Sequence, residues 1–179
     1  MRNKITVTQK RWLLSAHLFC TVAWLGAGLC SLVFNITALI TNDPHLLSAT
    51  YMLASALDKA MLRGGAIGML ITGILLSVLT HWGLFRFYWI IVKEIFTLIA
   101  IVVGFLISGW NEHALSLTMI YGLQALDNPL YTMDRALMFI GIVFEIISLS
   151  GIIIISIFKP WGQRKRPASR RTQNASTHH

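Results

Sequence analysis

Four stretches of this chain, at about 12–40, 65–84, 87–110 and 136–158, reach the roughly 20 apolar residues that a helix needs to cross a bilayer. Hydrocarbon offers no water to a backbone N–H or C=O, so each stretch must close its own hydrogen bonds and is predicted to be helical. The expectation is an all-α fold, a polytopic membrane four-helix bundle built from residues 1–159. A basic tail, 160–179, is predicted to be disordered. Composition agrees, because 55% of the residues are hydrophobic and 12% charged, against roughly a quarter charged in ordinary globular domains. Such a chain cannot cover a water-facing surface, and the lipid bilayer is its expected solvent.

Position explains the net charge of +8. Eleven Lys and Arg residues lie in the N-terminal arm, the turn carrying Arg86, and the tail from Lys159 onward. The two longer loops hold three, Lys59, Arg63 and Arg135. That asymmetry predicts both termini in the cytoplasm, N-in and C-in, with the tail against anionic lipid headgroups of the plasma (inner) membrane. No nucleic-acid partner is expected from a basic tail alone. Cys20 and Cys30 lie on one helix, ~15 Å apart by helical rise, too far to bridge.

The outer loops read as short amphipathic helices. Residues 45–62 carry apolar side chains at helical spacing after Pro44, and 112–126 do the same before Asp127-Asn128-Pro129. Such segments either cap the bundle or form a gate or partner surface.

Each span also carries small and polar residues on one helical face. The first has His17, Thr21, Trp24, Gly28, Ser31 and Asn35, and the second Gly73, Ser77 and His81. The third has Arg86, Trp89, Lys93, Thr97, Ala100 and Gly104, and the fourth Met138, Gly141, Glu145 and Ser148. Small residues and hydroxyls at these spacings serve helix packing, within the chain or in a homo- or hetero-oligomer. Intramembrane ionisable groups usually face a cavity or a partner. At ~1.5 Å per residue, His17 falls ~13 Å from mid-membrane, His81 ~10 Å and Lys93 ~8 Å, all on the cytoplasmic side. Glu94 sits at the depth of Lys93 but ~100° around the helix. Glu145 falls near the midplane, where it must be neutral, paired with a base such as Lys93, or in a wet cavity. Lys93 can instead snorkel to the interface, His81 can be a boundary residue beside Trp82, and His17 can bond Ser77 or Thr97 as polar glue.

The run WLLSAHLFCTVAWLGAG, Trp12 to Gly28, resembles the first helix of a broad group of small bacterial membrane proteins. In that group a histidine near the cytoplasmic end precedes a Trp-x-Gly element by about two turns. The stretch HWGLFRFYWIIVKEIFTLIA looks like the matching turn and third helix. The group takes in HemJ-type protoporphyrinogen oxidases, CopD-like copper-resistance domains and uncharacterised four-helix members, to which the likeness is greatest. For the HemJ type, the resemblance implies haem and porphyrin chemistry at His17 and Lys93. Ala27-Gly28-Leu29-Cys30 departs from the Tyr and Arg/His-rich continuation of that type, so the scaffold transfers more readily than the oxidase activity.

Three function classes follow. One is a haem b or porphyrin protein with His17 and His81 as metal-ligand candidates and Trp24 and Lys93 beside the cofactor. Another is a non-catalytic accessory, stress or immunity protein. The third is a small ion or solute transporter using Lys93, Glu94 and Glu145. Copper handling is disfavoured, because the methionines do not cluster with histidines. No phosphate-binding glycine loop, His-Glu-x-x-His element or serine nucleophile elbow is present.

Overall fold

The computed structural model describes residues 5–80 and 83–161. Five α-helices follow in chain order: α1 Val7–Ile40, α2 Pro44–Leu57, α3 Arg63–Leu79, α4 Tyr88–Tyr121 and α5 Pro129–Phe158. A π-helical turn, Asp58–Leu62, joins α2 to α3, and a 3-10 turn, Gly122–Asp127, follows α4. With α2 and α3 continuous, four helices are long and apolar enough to cross a membrane. The fold is an all-α four-helix bundle of a multi-pass membrane protein.

Helix ends form where local chemistry supplies the missing hydrogen bonds. Thr6 opens α1 with a capping box, its hydroxyl accepting from the Gln9 N–H and its own N–H donating to the Gln9 side chain. Asp43 and Asn128 cap α2 and α5, each ahead of a proline in the first turn. Gly122, at φ 55°, stops α4 in a conformation that favours glycine.

The predicted loop helices are present, but they do not lie apart from the spans. Residues 44–79 form one rod, and the segment after Trp110 continues α4 to Tyr121. After Pro44 no further proline interrupts the chain as far as Leu79, and none lies between Tyr88 and Tyr121, so helix propagates through both stretches. The second span ends at Leu79, short of the predicted 84, and the turn carrying Gly83 leads to α4 at Tyr88. His81 and most of the tail lie outside the described residues.

The polar stripes face inward as the spacing predicts. Thr21, Trp24, Gly28, Ser31 and Asn35 of α1 are buried, as are Met138, Gly141, Glu145 and Ser148 of α5. Large apolar side chains such as Phe19, Val22, Val102, Phe105 and Ile147 face outward, where lipid covers them. The α1–α3 contact depends on Gly65, whose missing Cβ would stand 3.0 Å from the Trp24 backbone nitrogen.

Helix pairing sets the position of the internal space. α1 packs on α2, α3 and α5, and α4 packs along α5 and against α2, while α3 barely touches α4. At the loop end, around residues 40–44 and 121–129, the helices close on a core of Ala38, Leu47, Tyr51, Ala114, Ala125, Tyr131 and Met138. Toward the end holding the chain termini, α3 leans on α1 and α4 on α5, and a cavity opens between the two pairs.

Candidate functional site

The cavity at the termini end encloses about 470 Å³ and is lined by all four long helices. Its walls are mostly aliphatic, among them Leu14, Leu18, Met69, Leu76, Ile90 and Ile152. Set into them are Lys10 and His17 from α1, Trp89, Lys93 and Glu94 from α4, and Lys159 beyond α5. Lys93 and Glu94 both line this space despite their separation around α4, because the gap between α3 and α4 is wide enough to expose two adjacent positions. The Lys93 ammonium stands 5.1 Å from the centre of the Trp89 ring, within cation–π range.

His17 is held from α3. Its Nδ1 lies 2.9 Å from the Thr72 hydroxyl, which lies 2.6 Å from the Gly68 carbonyl. Thr72 has one proton, and the Gly68 carbonyl takes it. The hydroxyl therefore accepts from His17, whose Nδ1 carries the ring proton, and Nε2 keeps its lone pair. The Met69 backbone also lies within hydrogen-bond reach of the ring, and with Nδ1 held by Thr72 the nitrogen left with a lone pair is Nε2. The ring lies against α3 at Gly73, where a Cβ would meet His17 Cε1 at van der Waals contact, 3.4 Å. The partner is neither Ser77 nor Thr97 but Thr72, five residues before Ser77 on the same helix.

Toward the middle of the bundle the cavity ends at an apolar layer of Trp24, Ala66, Met69, Ala100, Leu149 and Ile152. Beyond it lies a second, smaller compartment of about 50 Å³. Here the Trp24 indole N–H crosses from α1 to α5 and donates to Glu145 Oε1 at 2.7 Å. Gly104 makes room for the carboxyl group, because a Cβ on it would come 3.3 Å from that oxygen.

The structure thus separates the sequence candidates into two groups. His17, Lys93 and Glu94 share the larger cavity, with Trp89 beside them. Trp24 and Glu145 share the smaller one. Trp24 does not flank His17 across a common space, and Glu145 pairs with the indole rather than with Lys93. Among the described residues, no cluster of three or more His, Cys, Asp or Glu side chains is arranged to hold a metal ion. A single histidine can serve a cofactor that brings its own donors.

Several residues of both compartments were not legible as site residues. Thr72 looks like any hydroxyl in an apolar helix. Asp58 and Arg63 read as loop charges useful for topology, yet they meet across the π turn: Arg63 Nε donates to Asp58 Oδ2 at 2.9 Å, and Arg63 Nη2 to Ser108 Oγ at 2.8 Å. Ser108 in turn donates to Asp58 Oδ2 at 2.8 Å. Their spacing of five residues is the repeat of a π turn, which a search at periods of 3.6 passes over.

Fold and lining together define a multi-pass, all-α membrane protein with a polar, partly cationic interior. No model of a known protein family, no curated protein and no solved structure matches the chain.

Proposed function

We propose that this protein binds an amphipathic anion of the porphyrin class, haem b foremost, in the cavity at the termini end of the bundle. The reading is supported above all by His17, a histidine whose Nδ1 is held by Thr72 on the wall of a 470 Å³ cavity. Haem iron takes a neutral imidazole as an axial ligand, and a partner on the other ring nitrogen fixes the tautomer. The aliphatic walls suit a macrocycle. Lys10, Lys93 and Lys159 suit its carboxylate edge. Bound iron would supply electron transfer or ligand binding, while this chain's residues hold the macrocycle, orient it and exclude water.

On the same reading the protein sits in a bacterial plasma (inner) membrane with both termini cytoplasmic, on a scaffold of the HemJ/CopD-like kind. The basic tail rests on anionic headgroups, and small-residue helix faces are available for oligomer contacts.

The test is an absorption spectrum of the full chain, purified in mild detergent from haem-replete cells. A Soret band is expected, and it should disappear in His17→Ala while helical circular dichroism persists. His81→Ala then reports whether a second imidazole reaches the iron. Wild-type protein that stays colourless after haem is supplied would refute the assignment and leave His17 as a packing residue.

A further inference from the structure

The smaller compartment lies on the loop side of the apolar layer and makes no use of the His17 cavity. Polar groups converge on it from α1, α3, α4, α5 and the π turn. α1 presents Ser31 and Asn35, α4 presents Ser108 and Asn111, and α5 presents Glu145. Asp58 comes from the π turn and Arg63 from the start of α3.

Two observations indicate what it holds. The first concerns Asn35, which is 5% exposed. Its amide nitrogen donates to the Ser31 carbonyl at 3.1 Å, but its Oδ1 meets no donor among the described residues. A buried acceptor left that way costs about 1–3 kcal/mol. The compartment, at about 50 Å³, has room for a few waters, each needing roughly 10–15 Å³ by this measure.

The second observation is a charge imbalance. Asp58 and Arg63 neutralise each other, with Ser108 closing the triad. Glu145 has no such counter-charge. Facing it, α1 offers the Trp24 N–H, Ser31 and Asn35; α4 offers Gly104, Ser108 and Asn111; and the α2–α3 rod offers the already matched Asp58 and Arg63. His17, Lys93 and Glu94 line the other cavity, beyond Trp24, Met69, Ala100 and Leu149. With a proton on Glu145 the compartment is neutral; without one it carries a single uncompensated negative charge in a largely apolar surround, which is costly. The Trp24 N–H occupies Oε1, so the proton belongs on Oε2.

We infer that this compartment is a hydrated, single-proton binding site whose carboxyl is Glu145. Glu145 releases its proton to water held by Asn35 Oδ1 and becomes a carboxylate; uptake reverses the step. The exchange route runs toward the Asp58–Arg63 pair, whose side chains are 14% and 41% exposed. The apolar layer closes the route toward the His17 cavity.

Infrared difference spectroscopy of the full chain in lipid nanodiscs tests this directly. A carboxylic C=O band is expected that is lost as pH rises, shifts promptly in D2O and is missing from Glu145→Gln. In Asn35→Leu, which fills the compartment and removes the orphan acceptor, the band should remain while its D2O shift is delayed. A band that ignores pH, or one that survives in Glu145→Gln, would overturn the proposal. So would a prompt D2O shift in Asn35→Leu. A second measurement needs no variant, because dicyclohexylcarbodiimide attacks protonated carboxyls in apolar surroundings. Peptide mass spectrometry should place the adduct on Glu145, with less of it at higher pH. Labelling at Asp58 or Glu94 instead, or no adduct at any pH, would refute it.

Discussion

Trp24 carries two roles that the sequence showed as one. It is 1% exposed, its ring belongs to the apolar layer, and its N–H satisfies a carboxyl on the opposite helix. Trp24→Phe keeps most of the ring and removes the donor. Loss of a buried hydrogen bond of this kind is expected to destabilise the bundle by about 1–3 kcal/mol. Glu145→Gln, which keeps an acceptor for the indole, should cost less. The double variant should cost less than the sum of the two, since they share one interaction. Unfolding in mixed detergent–SDS micelles measures all four proteins, and strict additivity would show that the indole–carboxyl contact contributes nothing. The shared helix face of His17 and Trp24 was readable from their spacing. Their separation was not: seven residues along a helix is ~10.5 Å, enough to put one residue on each side of a layer that forms only when side chains from α3, α4 and α5 meet.

At the scale of elements, the π turn at Asp58–Leu62 was the feature least accessible to sequence reasoning. The apolar periods gave the spans because a bilayer leaves no other solution. The break expected near residue 62 came from falling hydropathy, whereas helix continuity is decided by backbone chemistry, and Leu57 to Arg63 contains no breaker. A π turn is in effect one extra residue inserted into an α-helix. Deleting Ala60 should therefore convert the rod to continuous α-helix while α2 and α3 keep their inward faces. Asp58 and Arg63 would then stand four apart, still close enough to pair. The ΔAla60 protein is expected to fold and to elute as wild type by size exclusion in detergent. Deleting Ile71, within regular helix, rotates everything after it by ~100°, swinging Gly73 and Ser77 away from the cavity and Thr72 away from His17. That variant should aggregate or be degraded. Equal tolerance of the two deletions would mean that the inward face of α3 does not govern folding.

At the scale of the whole molecule, the helices are longer than the bilayer requires, and the excess has a location. α1 and α4 each span 34 residues, ~51 Å by helical rise, against roughly 30 Å of hydrocarbon. Charged groups mark where the surplus lies. Lys59 pairs with Glu112 at 3.5 Å, and His113 meets the buried Asp134, all toward the loop end. There the Tyr51 and Tyr131 hydroxyls bond at 2.8 Å inside a small core of their own. The loop end is thus expected to stand clear of the hydrocarbon as a helical cap, and the other end, with Lys10, Arg11, Arg86 and Lys159, to meet the opposite interface. The unequal Lys and Arg count then predicts which interface is cytoplasmic. Fluorescent reporters fused after Lys159 should be active inside the cell. Export-dependent reporters inserted after Thr41 or Asn128 should be active outside. In that orientation the His17 cavity would open toward the cytoplasm and the Glu145 compartment toward the exterior. Labelling of the C-terminal tail by an impermeant reagent on intact cells would invert both assignments together, since one rigid bundle carries the two compartments on opposite sides of a single apolar layer.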